Sequence, residues 1–168
     1  SEDTERALKE LGSKFPIILK TGTGTNGIGV ILVESEPSLK AMIQLLYRES
    51  EFQDILLQEY IKADYDVRVI VFKDEVIGVM KRPVVSGDFR SNVSQGSKPK
   101  PHKLTDFEKS ESIRAAQAVD GTIVGVDFIP GKKPYFIEVN NVPGLVGIEE
   151  ALQGSIVEKL LNKLKEIK

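Results

Sequence analysis

The chain has 168 residues, 40% of them hydrophobic, which is enough for one globular unit or two small lobes with a real core and excludes a disordered composition. Lys and Arg total 23 against 25 Asp and Glu, and the net charge of -2 provides no global attraction to nucleic acid or to a membrane surface, so any anion site must be local. Cysteine is absent, which excludes a disulfide framework, a thiolate zinc site and a cysteine nucleophile.

Residues 4 to 11 read as a short helix ended by Gly12, and Phe15 to Leu19 as an apolar strand running into Gly22-Thr23-Gly24-Thr25-Asn26-Gly27. The string Gly22-x-Gly24-x-x-Gly27 matches a dinucleotide fingerprint, but that motif needs a helix after its third glycine, and Ile28 to Val33 is β-branched and alternating. A Walker A loop needs a terminal Gly-Lys-Ser/Thr, which is also missing. A glycine hairpin between two strands remains. Its backbone N–H groups can close over phosphate oxygens while Lys20 supplies a fixed positive charge, with an ordinary glycine-rich hairpin as the plain alternative. Leu39, Met42, Ile43 and Leu46 follow helical spacing after Pro37, which closes a small α+β lobe over residues 1–54.

A second lobe is expected over residues 55–168. It opens with a strand over 55 to 61, followed by strands over 67 to 72 and 76 to 80 around the turn Lys73-Asp74-Glu75. Residues 83 to 104 are rich in Pro, Gly and Ser and read as a long functional loop. The single histidine, His102, is placed in it as a solvated residue rather than a catalytic base. Thr105-x-x-Glu108 forms a capping box for a helix to about residue 119. Strands over 123 to 129 and 135 to 140 follow, then an amphipathic helix from Ser155 with Ile156, Leu160, Leu164 and Ile167 on one face. No apolar run of about 18 residues and no signal-peptide pattern occur, so a soluble, cytoplasmic protein is expected.

The last two strands flank Pro130-Gly131-Lys132-Lys133-Pro134, a strong turn signal. With Lys132-Lys133 at the tip of an antiparallel hairpin, Ile129 opposes Phe136 and Asp127 opposes Glu138. Asn140 then shares the acids' face, and Val126, Phe128, Ile137 and Val139 take the apolar side. Like charges directly opposite destabilise a sheet, and a divalent cation turns that cost into a gain. An all-oxygen Asp127, Glu138 and Asn140 set suits Mg²⁺, whereas the plain alternative is a solvated face where two acids meet.

An ordered set of short motifs then becomes visible: Phe15-Pro16-Ile17-Ile18-Leu19-Lys20, Gly27-Ile28-Gly29-Val30, Gln58-Glu59-Tyr60-Ile61, Asp66-Val67-Arg68, Gly87-Asp88-Phe89-Arg90-Ser91-Asn92, Gly125-Val126-Asp127 and Glu138-Val139-Asn140-Asn141-Val142-Pro143-Gly144-Leu145. In this order, over nearly the whole chain, they resemble RimK-type ATP-grasp ligases. The resemblance implies an α+β ATP-grasp fold, two α+β subdomains with antiparallel sheets clasping ATP between them. It also implies a reaction in which a carboxylate attacks the γ-phosphate to give an acylphosphate that an amine captures. Lys20, with Gly24, Asn26 and Gly27 of the hairpin, is implied to bind the phosphates. Glu59, Tyr60 and Ile61 are placed at the adenine edge and Asp66 near the ribose. Arg90, Ser91 and Asn92 would reach the phosphates and metal, and Arg82 would face the transferred phosphate or the substrate carboxylate, so that Arg82 and Arg90 are the catalytic pair. Asp127, Glu138 and Asn140 would hold Mg²⁺, with Mn²⁺ as a substitute.

The implied partners are small-molecule or peptide carboxylate and amine substrates, with glutamate addition to a peptide or protein as the family's commonest theme, and an upstream pre-ATP-grasp domain. Nucleic acid and membrane are not among them, and the oligomeric state is not legible. Ser94-Gln95 stands where relatives usually carry basic or histidine residues, and the segment between Ile61 and Asp66 is shorter than in relatives. A non-catalytic ATP-binding module of a larger assembly is the competing reading. Intact Lys20, Arg90, Asp127, Glu138 and Asn140 weigh against it.

Overall fold

A computed structural model describes residues 2–22, 27–49, 54–91 and 96–166, without the side chains of Glu2 and Glu49. The chain divides into two units, Ser1–Lys62 and Ala63–Lys168.

The first unit contains α1 (Glu2–Glu10), β1 (Ile17–Thr21), β2 (Val30–Val33), α2 (Glu36–Glu49) and β3 (Ile55–Glu59), its strands forming an antiparallel sheet in the order β2-β1-β3. Period-2 alternation sends Ile17, Leu19 and Val33 into one core with Leu8 of α1 and Leu39 and Ile43 of α2. Lys20 and its register partners Val30 and Leu56 lie on the opposite face. The expected division after residue 54 is displaced, because residues 55–59 complete the first sheet instead of opening the second unit, with Leu57 opposite Leu19. The alternation marks 55–59 as a strand but carries no information about which sheet it joins.

The second unit contains β4 (Tyr65–Phe72), β5 (Glu75–Pro83), β6 (Lys100–Pro101), α3 (Asp106–Ala118), β7 (Ile123–Ile129), β8 (Tyr135–Asn140), α4 (Val146–Leu152) and α5 (Ile156–Glu166). Its antiparallel sheet has the order β6-β5-β4-β7-β8. Val67, Val69 and Val71 of β4 and Val124, Val126 and Phe128 of β7 face one side, where α3 contributes Ala116. The α3 start carries the expected capping box, Thr105 and Glu108 each satisfying the other's backbone N–H. On the other side Ile70, Phe72 and Met80 pack against Ile148 and Ala151 of α4 and Ile156 and Leu160 of α5. Leu164, expected on the buried stripe of α5, is 41% exposed, and Ile167 lies outside the described residues. β6 falls inside the expected long loop, and α4 falls in a stretch for which no element was expected.

The β7–β8 register sets Asp127 opposite Glu138 as expected, but a bulge next to it sets Phe136 opposite Phe128 and Tyr135 opposite Ile129. Phe136 and Val139, not Ile137 and Val139, therefore pack on the valine core, with the Phe128 and Phe136 rings 5.6 Å apart. The bulge spends one extra residue and in return buries the larger aromatic.

Candidate active site

Alternation decides which strand residues avoid the helices. On the face of the second sheet that carries α4 and α5, continuing each strand by steps of two past Ile70, Met80 and Gly125 brings Asp66 and Arg68 of β4, Arg82 of β5, and Asp127 of β7 together. They form one ionic network. Arg68 donates from Nε to Asp127 Oδ1 at 2.7 Å and from Nη2 to Oδ2 at 2.6 Å. Arg82 donates from Nε and Nη2 to the two oxygens of Asp66 at 2.8 and 2.5 Å, and from Nη2 also to Asp127 Oδ2 at 2.9 Å. Both aspartates and Arg82 are buried.

Burial opposes the charge on Arg82, yet attraction to Asp127 and bonding to Asp66 prevail and raise its pKa above the ordinary arginine value. Burial likewise pushes Asp127 up, and the opposing pull of Arg82 and Arg68 leaves it below the usual carboxylate range, so it is held ionised. Arg82 Nη1 makes no bond to a described residue. The network changes two sequence expectations. Asp66, placed near a ribose, has both oxygens on Arg82, and the Asp127 charge that seemed to need a metal already has two guanidiniums. Beyond its place in the Asp66-Val67-Arg68 motif, Arg68 carries no sequence-based role. The available signal was a charged residue repeating at strand period in the otherwise apolar Asp66-Val67-Arg68-Val69-Ile70-Val71.

Glu138 is exposed and has no ion-pair partner among the described residues, and Asn140 Oδ1 accepts a hydrogen bond from Val142 N at 2.8 Å. Among the described residues no three His, Cys, Asp or Glu side chains converge on a metal position, so a site at this hairpin must take its third ligand from the Asn140 amide. The donor chemistry fits a hard cation. Two carboxylates and an amide oxygen share one sheet face, with Glu138 uncommitted.

In the Val85–Arg90 turn, Asp88 accepts from Phe89 N at 2.7 Å, from Arg90 N at 3.0 Å and from the Arg90 guanidinium at 2.8 to 3.1 Å. The side-chain bond from Arg90 holds the Asp88 carboxyl below its ordinary pKa. Ser91 is buried, and Asn92 lies outside the described residues. His102 is half-buried rather than fully solvated, its ring 5.9 Å from that of Tyr65, which also carries Lys81 Nζ 5.3 Å from its centroid.

In the first unit the glycine segment does join two antiparallel strands: Thr21 N donates to Gly29 O at 3.0 Å, and Gly27 and Gly29 take φ of 79° and 80°, a region that favours glycine. Gly24 and Asn26 lie outside the described residues. Lys20 is half-buried at the next-to-last position of β1. Glu59 ends β3 and is exposed, and Tyr60 and Ile61 are half-buried just beyond it.

A model of the RimK-like ATP-grasp domain matches residues 1–164. The chain belongs to the RimK-like ATP-grasp family. A probable alpha-L-glutamate ligase of Stutzerimonas stutzeri is 37% identical over 154 residues, which are 90% of this chain and 50% of that protein. One of Coxiella burnetii is 37% identical over an alignment of 174 positions that covers 99% of this chain and 57% of the relative. The chain thus spans about half the length of the curated relatives it matches. Among solved structures, the ATP-grasp ligase PsnB, complexed with a phosphomimetic variant of a minimal precursor, Mg and ADP, superposes with a TM-score of 0.73 at 24% identity, over 98% of this chain and 50% of that one. A D-alanine–D-alanine ligase from Bacillus anthracis, complexed with ATP, gives 0.65 at 20% identity over 94% of this chain and 49% of the other. These two likenesses carry the fold: the antiparallel sheets and helices described above are those of an ATP-grasp α+β protein. No helix among the described residues is long and apolar enough to cross a membrane.

Proposed function

We propose that this chain supplies the nucleotide-binding and phosphoryl-transfer part of an ATP-dependent carboxylate–amine ligase. The observation that carries the reading is the pairing of Asp127 with Glu138 across β7 and β8, with Asn140 on the same face and Arg82 bonded directly to Asp127. Phosphoryl transfer asks little covalent chemistry of a protein, and positioned charge supplies most of the rate. Asp127, Glu138 and Asn140 are the residues assigned to Mg²⁺, which when bound shields phosphate charge; Mn²⁺ has the same oxygen preference.

Lys20, with Gly24, Asn26 and Gly27 of the hairpin, is assigned to the phosphates, and Glu59, Tyr60 and Ile61 to the adenine edge. Arg90, Ser91 and Asn92 are assigned to the phosphates, with Asp88 orienting the Arg90 guanidinium. Arg82 offers Nη1 to the transferred phosphate or the substrate carboxylate. Asp66 is assigned to holding Arg82 instead of to the ribose, since both its oxygens are taken. The acceptor is a small molecule or a peptide, with glutamate addition favoured by the named relatives. Segments beyond this chain complete the substrate cleft, a pre-ATP-grasp domain being the expected one, and the protein works in the cytoplasm.

Calorimetric titration with ATP tests the reading. Affinity is expected to fall sharply when Mg²⁺ is removed with chelator, and Glu138→Gln is expected to abolish most of that dependence. Equal ATP affinity with and without Mg²⁺ would show that the hairpin is not the metal site.

A further inference from the structure

Asp127 receives three hydrogen bonds on two oxygens, and its two cationic partners are not equivalent. Arg82 has a carboxylate of its own: its Nε and Nη2 fork closes on Asp66, and both side chains are almost wholly buried, 4% and 7% exposed. Among the described residues the Arg68 side chain makes no hydrogen bond except the fork on Asp127, and it is 14% exposed. The fork covers both oxygens of Asp127, which leaves little of the carboxylate for another electrophile. Asp66, Asp127, Arg68 and Arg82 sum to zero charge, and Glu138 opposite Asp127 adds one negative charge. A divalent cation placed there leaves the cluster with an excess of positive charge and sets a third positive centre beside a carboxylate that already holds two guanidiniums.

We propose that Arg68 is an exchangeable counter-ion for Asp127, a positioning residue that occupies the carboxylate until a divalent cation takes its place and is then freed to meet an oxyanion of the nucleotide or acyl substrate. The inference rests on the metal assignment above and deepens it. Arg82 keeps Asp66 throughout, so exchange costs the network only one partner. The excess positive charge is relieved when a polyanion arrives with the cation. Arg68 therefore makes cation binding depend on the nucleotide, a coupling that is reciprocal by linkage.

The sign of one effect separates this role from a merely structural one. Mn²⁺ alone, followed by loss of the free-ion EPR signal, is titrated into wild type, Arg68→Gln and Glu138→Gln, and the titrations are repeated with ADP. Removing a competitor strengthens binding of bare Mn²⁺ to Arg68→Gln, by roughly ten-fold on the scale of a charge-assisted bidentate pair. The factor by which ADP strengthens Mn²⁺ binding shrinks in the same variant. Unchanged or weaker Mn²⁺ binding by a folded Arg68→Gln, checked by circular dichroism, overturns the exchange role while leaving the metal site standing. Equal Mn²⁺ binding by wild type and Glu138→Gln overturns the metal assignment itself. Should Arg68→Gln not fold, Arg68→Lys keeps the charge without the fork and is expected to bind Mn²⁺ several-fold more tightly; no strengthening there counts against the inference in the same way.

Discussion

At the level of single residues, the second unit depends on how its buried charges are divided. Arg82 serves two carboxylates that are each more than nine-tenths buried. Arg82→Met leaves Asp66 without a partner and Asp127 with Arg68 alone. Breaking one side of a buried ion pair typically costs about 3–5 kcal/mol, so denaturant unfolding should show a loss of that size. Arg68→Met, at a partly exposed site, should cost distinctly less. His102 gives a pH test. Burial lowers its pKa, helped by Lys81 and opposed by Glu108, so the unfolded chain takes up the proton first as pH falls. The stability contribution is complete above the unfolded value of about 6.5 and is lost as pH falls through the lowered folded value. Urea midpoints between pH 7.5 and 5.5 should therefore decline in wild type and flatten in His102→Gln. An identical decline in both would assign it to other groups.

At the level of elements, the hairpin β7–β8 and the segment after it act together. A Cβ on Gly125 would stand 2.8 Å from Pro143 Cβ, whereas one on Gly144 would meet nothing within 4 Å. Gly125→Ala must push the proline and its backbone away, at about 1–3 kcal/mol by analogy with overpacked cores. The displaced segment begins one residue after Asn140, whose amide oxygen is tied to Val142 N. Mn²⁺ affinity should fall in Gly125→Ala along with stability, and Gly144→Ala should change neither. If Gly125→Ala unfolds more easily yet binds Mn²⁺ normally, Asn140 is not a ligand.

For the whole molecule, the phosphate role proposed for Lys20 of the first unit can be read from ligand-induced stability. A ligand that binds only the folded state stabilises it by about 2.7 kcal/mol at a hundred times its Kd. Lys20→Ala should reduce the thermal shift produced by Mg-ATP more than the shift produced by adenosine, because the deleted charge acts on phosphates. Equal reductions would make Lys20 a structural residue of β1.

The hydrophobic alternation of the strands, the Thr105 capping box and the tight turn at residues 130 to 134 are local patterns, and they sufficed to place β4, β7, β8 and α3 and to set Asp127 opposite Glu138. The glycine string could be refused as a helix-capping loop on the same grounds, from the β-branched run that follows it. Three features depend on partners distant in sequence and were decided only when the chain folded. Residues 55–59 pair with β1 rather than with the strand that follows them. The β7–β8 bulge exchanges Ile137 for Phe136 because a large ring on Phe128 fills the core better than a regular ladder would. Arg68 and Arg82 converge on Asp127 across three strands, and no local spacing reveals that a carboxylate legible as a metal ligand is already neutralised by arginines 59 and 45 residues away in sequence.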